Sequence, residues 1–457
     1  MVDSNIDARQ RVKALMPDVL EELKAMVAIP SVAFPTFPEA PVHAMATRAV
    51  DAFNRYGVPA RLQDIPGGYP AVWAEIEGPA GAPRVLLYGH YDVQPAPMDQ
   101  GWSTDPFVAT ERDGRIYGRG AADDKSGIAI HLATLAAFDG KPPVHVTLVL
   151  EGEEETNSHL EAFVTARPEL FQADVMVIAD MGNLAVGEPV LTTDLRGDVK
   201  VAVEIATLEN AVHSGLFGGA APDALVALVK LLAKITDDHG TCAVPGLVSG
   251  DWGGTDYDTE VFRTNAGVLD GVELVGTGTV ASRLWARPSI SILGIDCPSV
   301  DKGGNVLQPR AKAMLGMRIP PGQDAHDASD KLVAFLMDAA PKGVIVTVTP
   351  DKESPAFRQG TDGAAFGAMK EALAQAYGKS VGLAGSGGSI PLLERLQTAS
   401  PHADFVLIGA EDAAQARIHG PDESVDPTEI EHMALAQVLL LSHLGEQSGG
   451  ASASLGS

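Results

Sequence analysis

Hydrophobic positions recur at helical spacing over residues 7–28 and 44–57, then contract into short apolar runs over 71–77 and 84–88 that predict strands. The alternation continues. A helix is predicted over 128–138, strands over 144–150 and 174–179, and a short helix between those strands. Strands that are apolar at nearly every position, each followed by a helix, favour an α/β fold: a mixed, largely parallel sheet with helices on both faces. Near Asp194 the pattern changes to LRGDVKVAVEIAT, where apolar and polar residues alternate as in a half-exposed strand. A long apolar helix over 224–235, strands over 289–293, 311–319 and 344–348 and a helix over 328–339 follow, which suggests an inserted α+β domain. The first pattern resumes with a helix over 360–377, a strand over 404–408 and a helix over 427–444. The predicted division is 1–195 and 353–444 for the first domain, 196–352 for the insertion, and a disordered tail over 445–457.

Length supports the division, since 457 residues exceed what one hydrophobic core usually serves. Sixty acidic against 33 basic residues give a formal charge of −27, which argues against nucleic acid or an anionic membrane as partner. No apolar run approaches the roughly 20 residues of a membrane span, and the first residues lack an apolar signal core, so a cytoplasmic protein is expected. Cys242 and Cys297 are the only cysteines. A disulfide framework and a thiolate zinc finger are thereby excluded, and any metal must be held by His and carboxylates.

The strand ends carry that chemistry. VHVTLVLEGEEETNS, residues 144–158, runs from an apolar strand directly into Glu151, Glu153, Glu154 and Glu155. Carboxylates crowded at the end of a buried strand repel one another, and a divalent cation would both compensate and use them. The strand over 84–88 leads into His90 and Asp92, and the one over 174–179 into Asp180. Ligands of open α/β sheets bind at such carboxyl ends. Asp92 is placed to accept from the ring of His90. Asp123 and Asp124 lie among Gly118, Gly120 and Gly127, where one carboxylate of the pair could bridge two cations. In an extended Glu154–Glu155 segment one side chain would bind metal and the other hold water, and His419 would complete a set of two His and several carboxylates. Such ligands suit zinc, manganese and cobalt alike.

LYGHYDVQP, YGRGAADDKSG, LEGEEETNS, VIAD, LRG, VHSGLFGG, GGSIP and IHGPDES occur in the order found in the dinuclear metallopeptidases that include carnosinase-like cytosolic dipeptidases, glutamate carboxypeptidase and acetylornithine deacetylase. From about His90 to Glu423 the chain resembles that family, and most of all its dipeptidase branch. The resemblance implies a metallopeptidase catalytic domain, an inserted lid and dimerisation domain, a homodimer, a small peptide substrate, and two divalent ions per subunit, most simply zinc. It assigns His90 and Asp180 to one ion, Glu155 and His419 to the other, and Asp123 as their bridge. Glu154 becomes the general base, Asp92 orients His90, and the Asp123–Asp124 peptide is cis. His213 would reach into the partner's site to stabilise the oxyanion, and Arg318 and Ser389 would hold the substrate's C-terminal carboxylate.

Two departures from the family stand out. GGNVLQPRA puts Asn305 where these dipeptidases carry a Thr and Gln308 where they carry a Pro, and Arg417 places a cation beside His419. An Asn305 amide can still donate to an oxyanion. The other histidines, among them His131, His145 and His239, have no supporting motif, and the Asp237–Gly240 cluster reads as a polar helix end. The implied reaction is metal-dependent exopeptidase hydrolysis of a dipeptide or short peptide. Removal of an acyl or carbamoyl group from an amino acid is the alternative on the same site.

Overall fold

The computed structural model describes residues 2–453, with side chains from Asp7 to Gln447. Its larger sheet orders the strands Arg61–Gln63, Ala71–Ile76, His145–Glu151, Arg84–His90, Val175–Ile178, Asp404–Leu407, Val190–Leu195 and Phe357–Arg358, and Gly382–Ser386 also pairs with Val190–Leu195. The four strands from His145–Glu151 through Asp404–Leu407 run parallel, so their carboxyl ends share one edge. They are nearly continuous apolar runs because both faces are covered. On one face, the helices Val2–Val27, Ala40–Arg55, Lys125–Ala137, Ala364–Tyr377 and Pro427–Ala453 enclose a core that includes Val19, Phe53, Leu132, Leu373 and Leu440. On the other, Leu160–Ala166 and Leu392–Ala399 pack over Trp73, Phe171 and Leu407.

Lys125–Ala137 is buried at every position, its few polar residues included, and it starts three residues earlier than its apolar pattern alone predicts. The reason is a cap. The Asp124 side chain accepts from the Gly127 amide and satisfies one of the helix's free donors.

The LRG segment divides at Arg196. Val190–Leu195 belongs to the large sheet, and Gly197–Ala206 opens a four-stranded antiparallel sheet ordered Ser289–Asp296, Arg310–Ile319, Gly197–Ala206, Ile345–Ser354. Helices Ala224–Leu232 and Ala325–Ala339 cover one of its faces over Val201, Leu228, Leu315 and Leu332. The last strand runs past the predicted boundary at 352 to Ser354. Residues 250–288, for which the apolar pattern predicts no element, form the helix Thr259–Asn265 and a cluster of Tyr257, Val280 and Trp285 that packs back on Val190 and Ala384. At the C-terminus the helix Pro427–Ala453 continues through residues expected to form a tail, and residues 454–457 lie outside the described ones. No helix among the described residues is long and apolar enough to cross a membrane.

Candidate metal centre and substrate cleft

The common edge of the four parallel strands concentrates the chemistry. His90 ends one strand, Glu154 and Glu155 follow the second, Asp180 the third and Glu411 the fourth. Register makes them neighbours, since His90 sits opposite Glu151. Asp123 and Asp124 enter from the loop before the buried helix, and their peptide is cis, as the resemblance implies. His419 enters from the segment after the last of these strands, with its backbone in the left-handed region at φ 62°.

Two triads of ligand atoms result. His90, Asp123 and Asp180 form one, and Asp123, Glu155 and His419 the other, with Asp123 in both. His90 Nε2 lies 3.0 Å from Asp123 Oδ1 and 3.6 Å from Asp180 Oδ1, while His419 Nε2 lies 3.0 Å from Asp123 Oδ2 and 3.2 Å from Glu155 Oε2. The two oxygens of Asp123 thus face different imidazoles, which is the disposition a bridging carboxylate needs. Asp92 does more than orient His90. Its two carboxylate oxygens accept from the amides of Glu154 and Glu155, each at 3.1 Å, while the ring Nδ1 of His90 meets the Asp92 backbone carbonyl at 3.1 Å and Oδ1 at 3.4 Å. One buried aspartate therefore positions His90 and the two-glutamate segment together. Asp124 Oδ2 accepts from the His90 amide at 3.0 Å, so its share is structural support. Glu423 accepts from the amides of Ala122 and Asp123 at 3.0 and 3.1 Å and pairs with Arg119.

The electrostatics test whether cations fit. Burial, with Asp180, Glu155 and Asp123 close by, pushes Glu154 well above the ordinary carboxyl range. Burial likewise raises Glu155 and Asp180, each next to Asp123. Burial opposes protonation of the two histidines, yet the surrounding carboxylates outweigh it and hold His90 well above its usual value and His419 at about 11. Protons thus stand where positive charge is wanted. Oxygen and imidazole donors without thiolate are the ligand chemistry of divalent ions, and the residues present fit such ions.

The ligand edge opens into a cleft of about 860 Å³. Arg318 and Ser389 line it, as expected of groups that meet substrate, and Arg417 lines it beside His419. His213 and Asn305 do not. Both are exposed, at a short antiparallel pairing of two segments distant in sequence, where His213 pairs with Val306 and the Ser214 amide donates to the Asn305 carbonyl at 2.9 Å. Three contributors escaped the sequence reading. Glu411 lines the cleft and is pushed well above the carboxyl range by burial and by Asp123 and Asp180, Gln94 donates to Glu155 Oε2 at 2.7 Å, and Arg196 lines the cleft from its position between the two domains. Arg196 had a signal in LRG, and Glu411 had one in its place just after a parallel strand.

An edge of parallel strands carrying paired His–carboxylate triads defines a metallohydrolase. The sequence profile of peptidase family M20/M25/M40 matches residues 86–443, and the chain belongs to that family. A cysteinylglycine-S-conjugate dipeptidase of Corynebacterium striatum is 42% identical over 380 residues, covering 81% of this chain and 83% of that protein. The human Beta-Ala-His dipeptidase is 28% identical over 446 residues, covering 90% and 86%. The crystal structure of human carnosine dipeptidase 1 superposes with a TM-score of 0.83 at 26% identity, covering 97% of this chain and 99% of that one.

Proposed function

We propose that the protein is a metal-dependent dipeptidase, acting as a homodimer on short peptides. The observation that carries this is the pair of triads sharing Asp123, with Glu154 beside them in a cleft that Arg318 and Ser389 also line. The dipeptidases named above, similar over most of the chain, support it.

His90 and Asp180 would hold one ion, Glu155 and His419 the other, and Asp123 both. Zinc is the first choice, with manganese or cobalt also compatible. Bound there, such ions supply polarisation of the scissile carbonyl and acidification of the attacking water. Glu154 takes the proton from that water and delivers it to the leaving amine nitrogen. Arg318 and Ser389 hold the substrate carboxylate. His213 and Asn305, turned away from their own cleft, reach the oxyanion in the partner's site. The edge strand Ser289–Asp296, with Ile292, Leu293 and Ile295 exposed, is the surface on which a second copy would pair. The free thiols of Cys242 and Cys297 accord with a reducing, cytoplasmic setting.

Product analysis by mass spectrometry tests the reading, using metal-loaded protein against dipeptides, tripeptides and N-acyl amino acids. Amino acids released from dipeptides by the wild type, with Glu154→Gln slower by on the order of 10³-fold at unchanged metal content, are expected. Cleavage confined to N-acyl amino acids would move the protein to the deacylases.

A further inference from the structure

Three arginines of the described residues are buried, and they are not alike. Arg115 meets Asp412 at 2.6 Å, and Arg119 meets Glu423 at 2.5 Å. Arg196, only 5% exposed, has no such partner. Its bonds all leave one terminal nitrogen, Nη2, and all go to neutral acceptors: Ser289 Oγ at 2.7 Å and the backbone carbonyls of Arg287 and Arg318 at 3.2 Å each. Nε is buried and unpartnered. The nearest charge of consequence is a second cation, Arg318. Burying a guanidinium without a carboxylate is costly, and nothing in this fold compensates it.

The place explains what would. Arg196 lies between the large sheet and the inserted sheet, and it borders both the cleft, with Arg318, Ser386 and Ser389, and a smaller cavity of about 190 Å³, with Arg287 and Ser289. Its own amide donates to the Ser386 carbonyl at 3.2 Å, which ties it to the GGSIP loop. Away from the acids of the ligand edge the cleft is lined by Arg196, Lys200, Arg318 and Lys352, with Asp198, Glu353 and Glu394 among them. Of these cations Arg196 alone is buried without a carboxylate, so the C-terminal carboxylate of a dipeptide whose amide bond lies at the ligand edge would supply the charge it lacks.

We propose that Arg196 is a substrate-binding residue which, with Arg318, receives the α-carboxylate of the amino acid that hydrolysis releases; this rests on the dipeptidase reading. The half-buried Arg318, already 3.7 Å from Asp198, serves as the outer contact and Arg196 as the inner one. A carboxylate between the two joins the large sheet to the inserted sheet.

The experiment compares kcat/KM for a dipeptide and for the same dipeptide with a C-terminal carboxamide, in wild type, Arg196→Gln and Arg196→Lys, with metal content and melting temperature measured on each. In Arg196→Gln the preference for the free acid is expected to shrink by on the order of 10-fold or more, mainly through KM, as for loss of a charge-assisted hydrogen bond. Arg196→Lys, which keeps the charge and loses the planar fork, should fall between. Equal losses for acid and carboxamide in both variants would make Arg196 a structural clasp and overturn the proposal. Should Arg196→Gln fail to fold, the Lys variant decides on the same ratio. Should the wild type cleave only N-acyl amino acids, the dipeptidase reading fails while the Arg196 question is still decided, by the ratio for an N-acyl amino acid and its amide.

Discussion

Asp92 shows how much one side chain can organise. Its carboxylate accepts from consecutive amides at Glu154 and Glu155, and its backbone carbonyl and one carboxylate oxygen face the ring of His90. An asparagine would keep one acceptor and turn an amide donor against the other N–H. Asp92→Asn is therefore expected to weaken metal affinity by about 10- to 100-fold, measured by competition with a chelator, and an unchanged affinity would remove Asp92 from the positioning role. His131 is buried against the Tyr88 carbonyl and Gln437, and burial pushes its pKa down to about 4. The unfolded chain, titrating near 6.5, binds the proton first as pH falls, so stability declines from about pH 6.5 down to about pH 4. Between pH 7 and pH 5 that one group costs about 2 kcal/mol. In His131→Gln the fall in melting temperature between those pH values should be visibly shallower than in wild type.

At the scale of elements, the buried helix Lys125–Ala137 holds the centre together because it packs without a gap against the strand ends. Gly127 is the contact point: a Cβ there would collide with Asp124 Oδ1 and the Ala179 carbonyl, the neighbours of two ligands. Gly367, in the helix Ala364–Tyr377, is exposed and would meet nothing. Intrinsic helix propensity favours alanine by about 1 kcal/mol at either site. Gly367→Ala should thus raise the melting temperature slightly, whereas Gly127→Ala should lower it, by a loss on the order of 2 kcal/mol, and reduce bound metal. Equal effects would mean that the helix entry has room the structure does not show.

For the whole molecule the question is whether one chain holds a complete site. His213 and Asn305 stand outside their own cleft, and the edge strand Ser289–Asp296 of the inserted sheet exposes Ile292, Leu293 and Ile295. If a partner's His213 completes each site, two inactive variants can repair each other. In a co-expressed heterodimer of Glu154→Gln with His213→Ala, one site combines the intact Glu154 of one chain with the intact His213 of the other. Recovery of about half the activity of the wild-type dimer is expected from that geometry. A heterodimer as inactive as its parents would place the action of His213 in its own subunit's site and overturn the shared-site reading.

The residue order by itself determined the alternation of apolar runs and helices, and hence the α/β sheet, because burial on both faces leaves a continuous apolar run wherever a parallel strand lies. It also determined that His90, Glu154, Glu155 and Asp180 sit just beyond such runs, since the switch from apolar to charged marks the strand's carboxyl end. Tertiary structure alone decided which oxygens and nitrogens meet. That Asp123 faces both His90 and His419, nearly 300 residues further along the chain, depends on strand order and on where the segments carrying Asp123 and His419 come to lie, which the local apolar pattern does not encode. For Glu411, just beyond a parallel strand, and Arg196, in LRG, the sequence marked the place but not the surroundings; each becomes exceptional only when folding buries it and, for Arg196, supplies no opposite charge in exchange.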